Sequence, residues 1–196
     1  MDGEVVSRII AGSAKGHRLA TPRGARTRPT TDRTREALFS ALASWFGTAE
    51  EEASRHLAGL AVLDLFAGSG AVGLEAASRG ADPVVLVEHD RPTARLIQGN
   101  AKTSRLTVEV RAVKAEAVAA APGGSFDLIF LDPPYDLPTD TVESLLATLV
   151  ETALADRGLV VVERSGRDRP PVWPERFTDT WHRRYGETTL HFGAVD

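Results

Sequence analysis

Three acidic residues, Asp64, Glu88 and Asp132, each close a short apolar run, at 60–65, 83–87 and 126–131. Runs of that length bounded by turn residues read as buried strands. In an open α/β sheet, ligands bind beyond the carboxyl ends of the strands, so the three carboxylates are expected on one rim around one ligand. The first of them opens a glycine-rich turn, Asp64-Leu65-Phe66-Ala67-Gly68-Ser69-Gly70-Ala71-Val72-Gly73. Gly68, Gly70 and Gly73 fit the spacing of a dinucleotide fingerprint, with Glu88 twenty residues after Gly68. A nicotinamide or flavin oxidoreductase therefore competes. Asp64 weighs against it, because a carboxylate at the mouth of the loop repels a pyrophosphate and attracts a cation. S-adenosylmethionine (SAM), with its sulfonium, amino-acid moiety, ribose and adenine, suits such a rim better. Under either reading Glu88 accepts hydrogen bonds from ribose hydroxyls.

Asp132 opens a second motif, Asp132-Pro133-Pro134-Tyr135. Two consecutive prolines remove two backbone donors and fix the direction of the chain. What remains is a carboxylate and carbonyls, all acceptors, beside an aromatic ring. That is the requirement of a flat amine: the ring stacks on a base while the acceptors hold the exocyclic amino hydrogens. Hydrogens held out of plane localise the nitrogen lone pair toward a methyl sulfonium, and catalysis becomes mostly positioning for in-line transfer. Asp132, Pro133, Pro134 and Tyr135 are the expected catalytic set.

The elements that must position these residues alternate. After the strand at 60–65, helix-like segments at 70–79, 92–103, near 114–121 and 139–154 separate strands at 83–87, 106–113, 126–131 and 159–163. This βαβ alternation predicts a doubly wound, mostly parallel sheet with helices on both faces. Residues 181–185 and 188–192 flank Gly186-Glu187 and predict a terminal antiparallel hairpin. Upstream, 8–11 and 17–20 predict a small N-terminal β-hairpin. Thr31 or Asp32 then caps a helix in which Ala37, Leu38, Ala41, Leu42 and Trp45 repeat at helical spacing, and Gly47 closes it. Trp45 is expected in the core, as packing residues are Trp173 and Trp181, and 48–58, with Glu50-Glu51-Glu52, reads as a solvated link. Residues 1–30 are thus a basic arm and 31–196 the main domain.

The chain has 196 residues, 42% hydrophobic and 26% charged, a composition that supports one folded domain. It has no Cys, which excludes disulfides, thiolate metal sites and a cysteine nucleophile. No apolar stretch approaches the roughly 20 residues of a membrane helix, no signal peptide is visible, and a cytoplasmic protein is expected. The net charge is −4, but residues 8–35 carry +7, leaving −11 on the rest. Seven of the eight basic side chains there are Arg, Lys15 being the exception. A segregated basic segment on an acidic body suits a polyanion, and the planar guanidinium suits phosphates and bases. The five His residues are scattered, so no metal is expected. Ser69 lacks a visible base partner, and residues 164–169 read either as an extension of the polyanion-binding surface or as a solvated loop.

Taken together, Asp64-Leu-Phe-Ala-Gly-Ser-Gly, Glu88 and Asp132-Pro-Pro-Tyr resemble the SAM-dependent amino-methyltransferases. Arg8-Ile-Ile-Ala-Gly, Lys15-Gly-His-Arg-Leu, Arg28-Pro-Thr-Thr-Asp-Arg-Thr-Arg-Glu-Ala-Leu-Phe and Arg184-Tyr-Gly-Glu-Thr-Thr-Leu narrow the resemblance to the RsmD family, over nearly the whole chain. That resemblance implies a Rossmann-like class I methyltransferase that methylates guanine N2 in 16S ribosomal RNA of the small subunit, assembled or assembling. It implies a SAM site of Asp64, Phe66, Ala67, Gly68, Ser69, Gly70, Glu88 and His89. It also implies a guanine site of Asp132, Pro133, Pro134 and Tyr135 for a base turned out of its stack. Arg8, Lys15, Arg18, Arg26, Arg28, Arg33 and Arg35 would grip RNA, and a monomer is expected. Where the family carries an acid for the adenine amino group this chain has Lys114, with Glu116 two positions later as the substitute. The competing readings are methylation of adenine in DNA or of a protein glutamine, the oxidoreductase, and a non-catalytic RNA-binding module.

Overall fold

The computed structural model describes residues 7–22 and 31–196. Its centre is a seven-stranded sheet. Five strands are parallel: β3 (Val62–Asp64), β4 (Val84–Val87), β5 (Glu109–Arg111), β6 (Phe126–Leu131) and β7 (Leu154–Ser165). The C-terminal hairpin, β8 (Asp179–Tyr185) and β9 (Thr188–Ala194), adds antiparallel to β7 through β9. The order is β5-β4-β3-β6-β7-β9-β8. The chain winds outward from β3 to β5, then returns to the other side of β3 as β6, so the winding reverses between β3 and β6. A cleft opens where the carboxyl ends of two such strands diverge. Asp64 and Asp132 stand at those two ends.

The central parallel strands are covered on both faces, and the apolar runs Val84–Val87 and 159–162 are continuous for that reason, whereas the edge strand β5 (Glu109-Val110-Arg111) is only partly covered. On one face Leu63, Val85, Ile129, Leu131, Val160 and Val162 pack against α4 (Ala115–Ala120) and α5 (Thr139–Thr152). On the other, Val62, Leu86, Leu128, Phe130 and Val161 meet α1 (Asp32–Trp45), α2 (Ala71–Ser78) and α3 (Arg91–Ser104). Thr31 caps α1, its hydroxyl accepting the Thr34 N–H at 3.2 Å, and Asp90 caps α3 by accepting the Thr93 N–H at 2.9 Å.

The N-terminal hairpin is present as two short strands, β1 (Ser7–Arg8) and β2 (Arg18–Leu19). Ile9 and Leu19 pack on Ala71, Leu74 and Ala101, a small core between the hairpin, α2 and α3. Glu75 holds it there. This fully buried carboxylate accepts the N–H groups of Ile10 at 2.7 Å and Ala11 at 3.0 Å, and pairs with Arg79 at 2.8 Å. Asn100 fastens the hairpin's far end, accepting from Ala20 N–H and donating to Ala20 C=O.

Two expectations about packing change. Trp45 is 41% exposed, not core: α1 ends over the C-terminal hairpin, and the indole stacks on Trp181 at 4.8 Å. The segment 48–58 is more than a solvated link, because Leu57 is buried and the Thr48 hydroxyl donates to the His56 carbonyl at 2.7 Å.

Candidate active site

A cleft of about 250 Å³ opens at the switch point. One wall is the turn from β3 into α2, with Asp64, Phe66, Ala67, Gly68 and Ser69; Glu88 and His89 follow β4; Asp132, Pro133, Pro134 and Tyr135 follow β6. The two motifs read from the sequence thus face each other across one space. Thr21 and Pro22, beyond the N-terminal hairpin, complete its edge.

The glycine turn owes its shape to two positions. Gly70, the residue before α2, has φ +81°, a conformation that side chains disfavour. Gly73 lets α2 approach β4, since a Cβ there would lie 2.6 Å from Leu86 Cδ2. Asp64 lies beneath this turn, 1% exposed. Its Oδ2 accepts the Gly73 N–H at 3.1 Å, while Oδ1 is buried without a hydrogen-bond partner. Burial pushes its pKa up to about 7, against the lowering effect of hydrogen bonds from the Gly73 and Phe66 backbone. The turn therefore presents a buried acceptor, hungry for a cation or donor.

Glu88 is tied to the same turn. Its Oε2 accepts the Gly68 N–H at 3.1 Å, and its Oε1 accepts the Asp90 N–H at 2.8 Å and lies 3.2 Å from His89 Nδ1. Each carboxylate oxygen has two acceptor sites, so this carboxylate is oriented by the backbone and keeps capacity for hydroxyl donors. Tyr135 is 55% exposed at the cleft's outer lip, where its ring can meet an incoming plane. Pro133 is buried and fixes the turn. Among the described residues, no group of three His, Asp or Glu side chains comes together in a way that could hold a metal ion.

Other expected site residues fall elsewhere. Glu116 is exposed on the first turn of α4 and does not line the cleft. Arg26 and Arg28 lie outside the described residues. Arg8, Lys15, Arg18 and Arg33 are on the surface, and Arg8, Lys15 and Arg33 share a groove between the hairpin and α1. Arg8 also pairs with Asp32 at 3.4 Å. Arg35 is a correction: it is 0% exposed, bonded to the Arg8 carbonyl, to Asp32 at 3.0 Å and to Ser7 Oγ, so it is a strut under the hairpin and presents nothing to RNA. Arg164 is likewise buried; it donates to the Leu137 carbonyl at 3.1 Å and pairs with Asp168 at 3.0 Å. Glu163, an acid closing the apolar run at 159–162, lines a small crevice with Asp132, Pro133, Tyr135 and Arg164.

Comparison with known proteins follows the same lines. The family model "Conserved hypothetical protein 95" matches residues 7–194. The Escherichia coli (strain K12) protein named ribosomal RNA small subunit methyltransferase D is 34% identical over 87% of this chain and 81% of its own. Its Haemophilus influenzae namesake is 32% identical over 90% and 86%. Among solved structures, Thermus thermophilus hypothetical protein TTHA0928 superposes with a TM-score of 0.78 at 33% identity, covering 95% of this chain and 98% of that one. The T. thermophilus 16S rRNA N2 G1207 methyltransferase RsmC, at 21% identity, shares the fold with a TM-score of 0.68 over 92% of this chain and 46% of its own. The fold is the Rossmann-like class I methyltransferase fold, and the chain belongs to the conserved hypothetical protein 95 family, the RsmD family of small-subunit ribosomal RNA methyltransferases.

Proposed function

We propose that this protein transfers a methyl group from SAM to the exocyclic N2 of a guanine in 16S ribosomal RNA, within the small subunit or its assembly intermediate, in the cytoplasm. The carrying observation is that Asp132, Pro133, Pro134 and Tyr135 line the same cleft as Asp64, Gly68 and Glu88. The names of the family's ribosomal RNA methyltransferases support the substrate class.

The residues fit SAM on one observation in particular: Asp64 lines the cleft and its buried Oδ1 has no hydrogen-bond partner, an acceptor suited to an ammonium group. Glu88, oriented by the Gly68 N–H, is the acceptor for the ribose hydroxyls. When bound, SAM supplies an electrophilic methyl group. The chain's own residues do the rest by positioning. Tyr135 stacks on the guanine, while Asp132 and the carbonyls of its turn accept the amino hydrogens, aiming the nitrogen lone pair along the line of transfer. The nitrogen that gains the methyl group sheds one proton, and the Asp132 carboxylate is the acceptor on that side. Arg8, Lys15, Arg18 and Arg33 attract the RNA backbone, and Arg26 and Arg28 belong to the same basic segment.

The test incubates the protein with methyl-labelled SAM and small ribosomal subunits from a strain lacking this gene, then identifies the labelled nucleoside. Label in N2-methylguanosine is the expected result. Label in another nucleoside, or none in RNA, removes the proposal.

A further inference from the structure

The buried side chain of Asn100, on α3, joins two parts of the molecule that face different ligands. Its Oδ1 accepts the Ala20 N–H at 2.9 Å. Its Nδ2 donates to the Ala20 carbonyl at 3.0 Å and to the Ser69 carbonyl at 3.1 Å. Partners of one N–H and two carbonyls fix which end of the amide is which. Both amide hydrogens are used, and no other side chain of this size can make all three bonds.

Ala20 closes the basic hairpin, and Ser69 stands in the glycine turn. The Ser69 carbonyl shares a peptide plane with the Gly70 N–H, which donates to the Ala67 carbonyl at 2.7 Å. Asn100 therefore holds that plane from its other side. Just beyond Ala20, Thr21 and Pro22 line the cleft together with Gly68 and Ser69. One amide thus clasps two walls of the cofactor half of the cleft to each other.

Among the described residues, Ile9 and Leu19 are the large apolar side chains that the hairpin buries on α2 and α3. An element with so few buried apolar contacts opens at a lower free energy than the central strands. Opening would withdraw Thr21 and Pro22 from the cleft and release the Ser69–Gly70 peptide. Docking restores both, and sets Arg8 and Lys15 in one groove with Arg33. RNA on the docked hairpin and SAM in the completed cleft select the same state. Ligands that select the same state strengthen each other by one shared factor.

We propose that Asn100 is a positioning residue that couples RNA binding on the hairpin to SAM binding in the cleft. The coupling rests on the ribosomal RNA reading above and adds a link between its two ligands.

The cofactor probe is S-adenosylhomocysteine, which has no methyl group to transfer, and the RNA probe is the small ribosomal subunit from a strain lacking this gene. The Kd of each is measured with and without the other on the full-length protein, Asn100→Asp and Thr103→Ala. Thr103 is the control: its hydroxyl meets His17 of the hairpin at 3.1 Å from the same helix, without bonding the glycine turn. In wild type each probe should tighten the other by the same factor, about fivefold or more. Asn100→Asp, which loses both donors, should bring that factor within about twofold of one, and Thr103→Ala should keep it. Melting temperatures accompany each variant, because a purely structural residue lowers stability and leaves the factor unchanged. Pro22→Gly loosens the same wall from the cleft side and decides the question should Asn100→Asp not fold; its factor should also fall. No coupling in wild type, or the wild-type factor in Asn100→Asp or Pro22→Gly, overturns this inference and leaves the RNA reading standing. An equal loss in Thr103→Ala overturns the role of Asn100. Subunits that do not bind wild type overturn the RNA reading and this inference with it.

Discussion

Asp64 accepts the backbone N–H of Gly73 at 3.1 Å, so the N-terminus of α2 is capped by a carboxylate from the preceding strand. A helix N-terminus after a glycine turn is the natural seat of a phosphate, because its N–H groups are unpaired and its dipole is positive. Here the protein's own buried carboxyl group occupies that seat. The G-x-G-x-x-G spacing is therefore satisfied in sequence while the pyrophosphate site it usually signals is filled. The remaining oxygen, Oδ1, is buried without a partner and favours a cationic ligand.

The pH behaviour of Asp64 follows from burial. Its pKa is about 7 in the folded protein against 3.8 ordinarily, so the folded state holds a proton that the unfolded chain has already released. The resulting penalty on stability grows as pH rises from about 4 to 7 and is fully present above 7. Asp64→Asn removes it, and is expected to raise the melting temperature at pH 8 while changing it little at pH 4. The same variant should bind SAM more weakly at pH 8, and wild-type affinity for SAM should rise between pH 5.5 and 7 as Asp64 ionises. Thermal melts and calorimetry at both ends of the range check the pair. An equal loss of stability at pH 4 and pH 8 would contradict it.

Asp132→Ala separates binding from transfer. Asp132 lines the cleft across from the glycine turn and follows a different strand from the residues assigned to SAM. Its loss should lower methyl transfer to small subunits by about a hundredfold or more and leave the Kd for SAM within about twofold. Rates under saturating SAM, alongside titration calorimetry, give both numbers. A variant that no longer binds SAM would place Asp132 in the cofactor site instead.

The strands were legible because a parallel strand covered on both faces has to be largely apolar, as Val84–Val87 is throughout and Phe126–Leu131 is but for Asp127. The two motifs at the switch point were legible because their chemistry is local: glycines at fixed spacing, and an acid followed by two prolines. What escaped depends on partners distant in sequence. Arg35 looks like its neighbour Arg33, and its burial is decided by Ser7 and the Arg8 carbonyl on the hairpin. Glu75 sits in a mostly apolar helix, and its role comes from the Ile10 and Ala11 N–H groups more than sixty residues away. Trp45 follows the spacing of Leu38 and Leu42, but α1 ends over the edge strand β8, where the indole stacks on Trp181 and stays exposed on its outer side. Glu163 ended an apolar run as clearly as Asp132, yet only the β6–β7 register shows that the two are neighbours.

Arg33 and Arg35 should behave in opposite ways. Arg33 is exposed on α1, whereas Arg35 is buried among Ser7, Arg8 and Asp32. Arg33→Ala is expected to leave the melting temperature unchanged and to reduce the salt slope of RNA binding by about one. Arg35→Ala is expected to cost about 3 kcal/mol of stability, because it removes a buried guanidinium from three partners. Chemical denaturation together with RNA binding at several salt concentrations distinguishes the two. A destabilised Arg33→Ala or a fully stable Arg35→Ala would reverse the assignment.

Arg164 is expected to set the position of the substrate turn without touching substrate. Its Nη2 donates to the Leu137 carbonyl at 3.1 Å and lies 3.0 Å from Asp168. Leu137 in turn donates its N–H to the Pro134 carbonyl at 2.9 Å. The guanidinium thus ties the end of β7 to the segment that follows Asp132, and small displacements of a positioning group cost rate more than affinity. Arg164→Met is expected to lower kcat for the small subunit by about tenfold or more while leaving the Kd for SAM unchanged. Arg164→Lys, which keeps one donor and the charge paired with Asp168, should recover part of that loss. Melting temperature distinguishes a displaced turn from a damaged fold: a purely structural role predicts that kcat of the folded fraction matches wild type in both variants. A rate loss in Met that Lys partly repairs, at equal SAM affinity, is the signature of positioning.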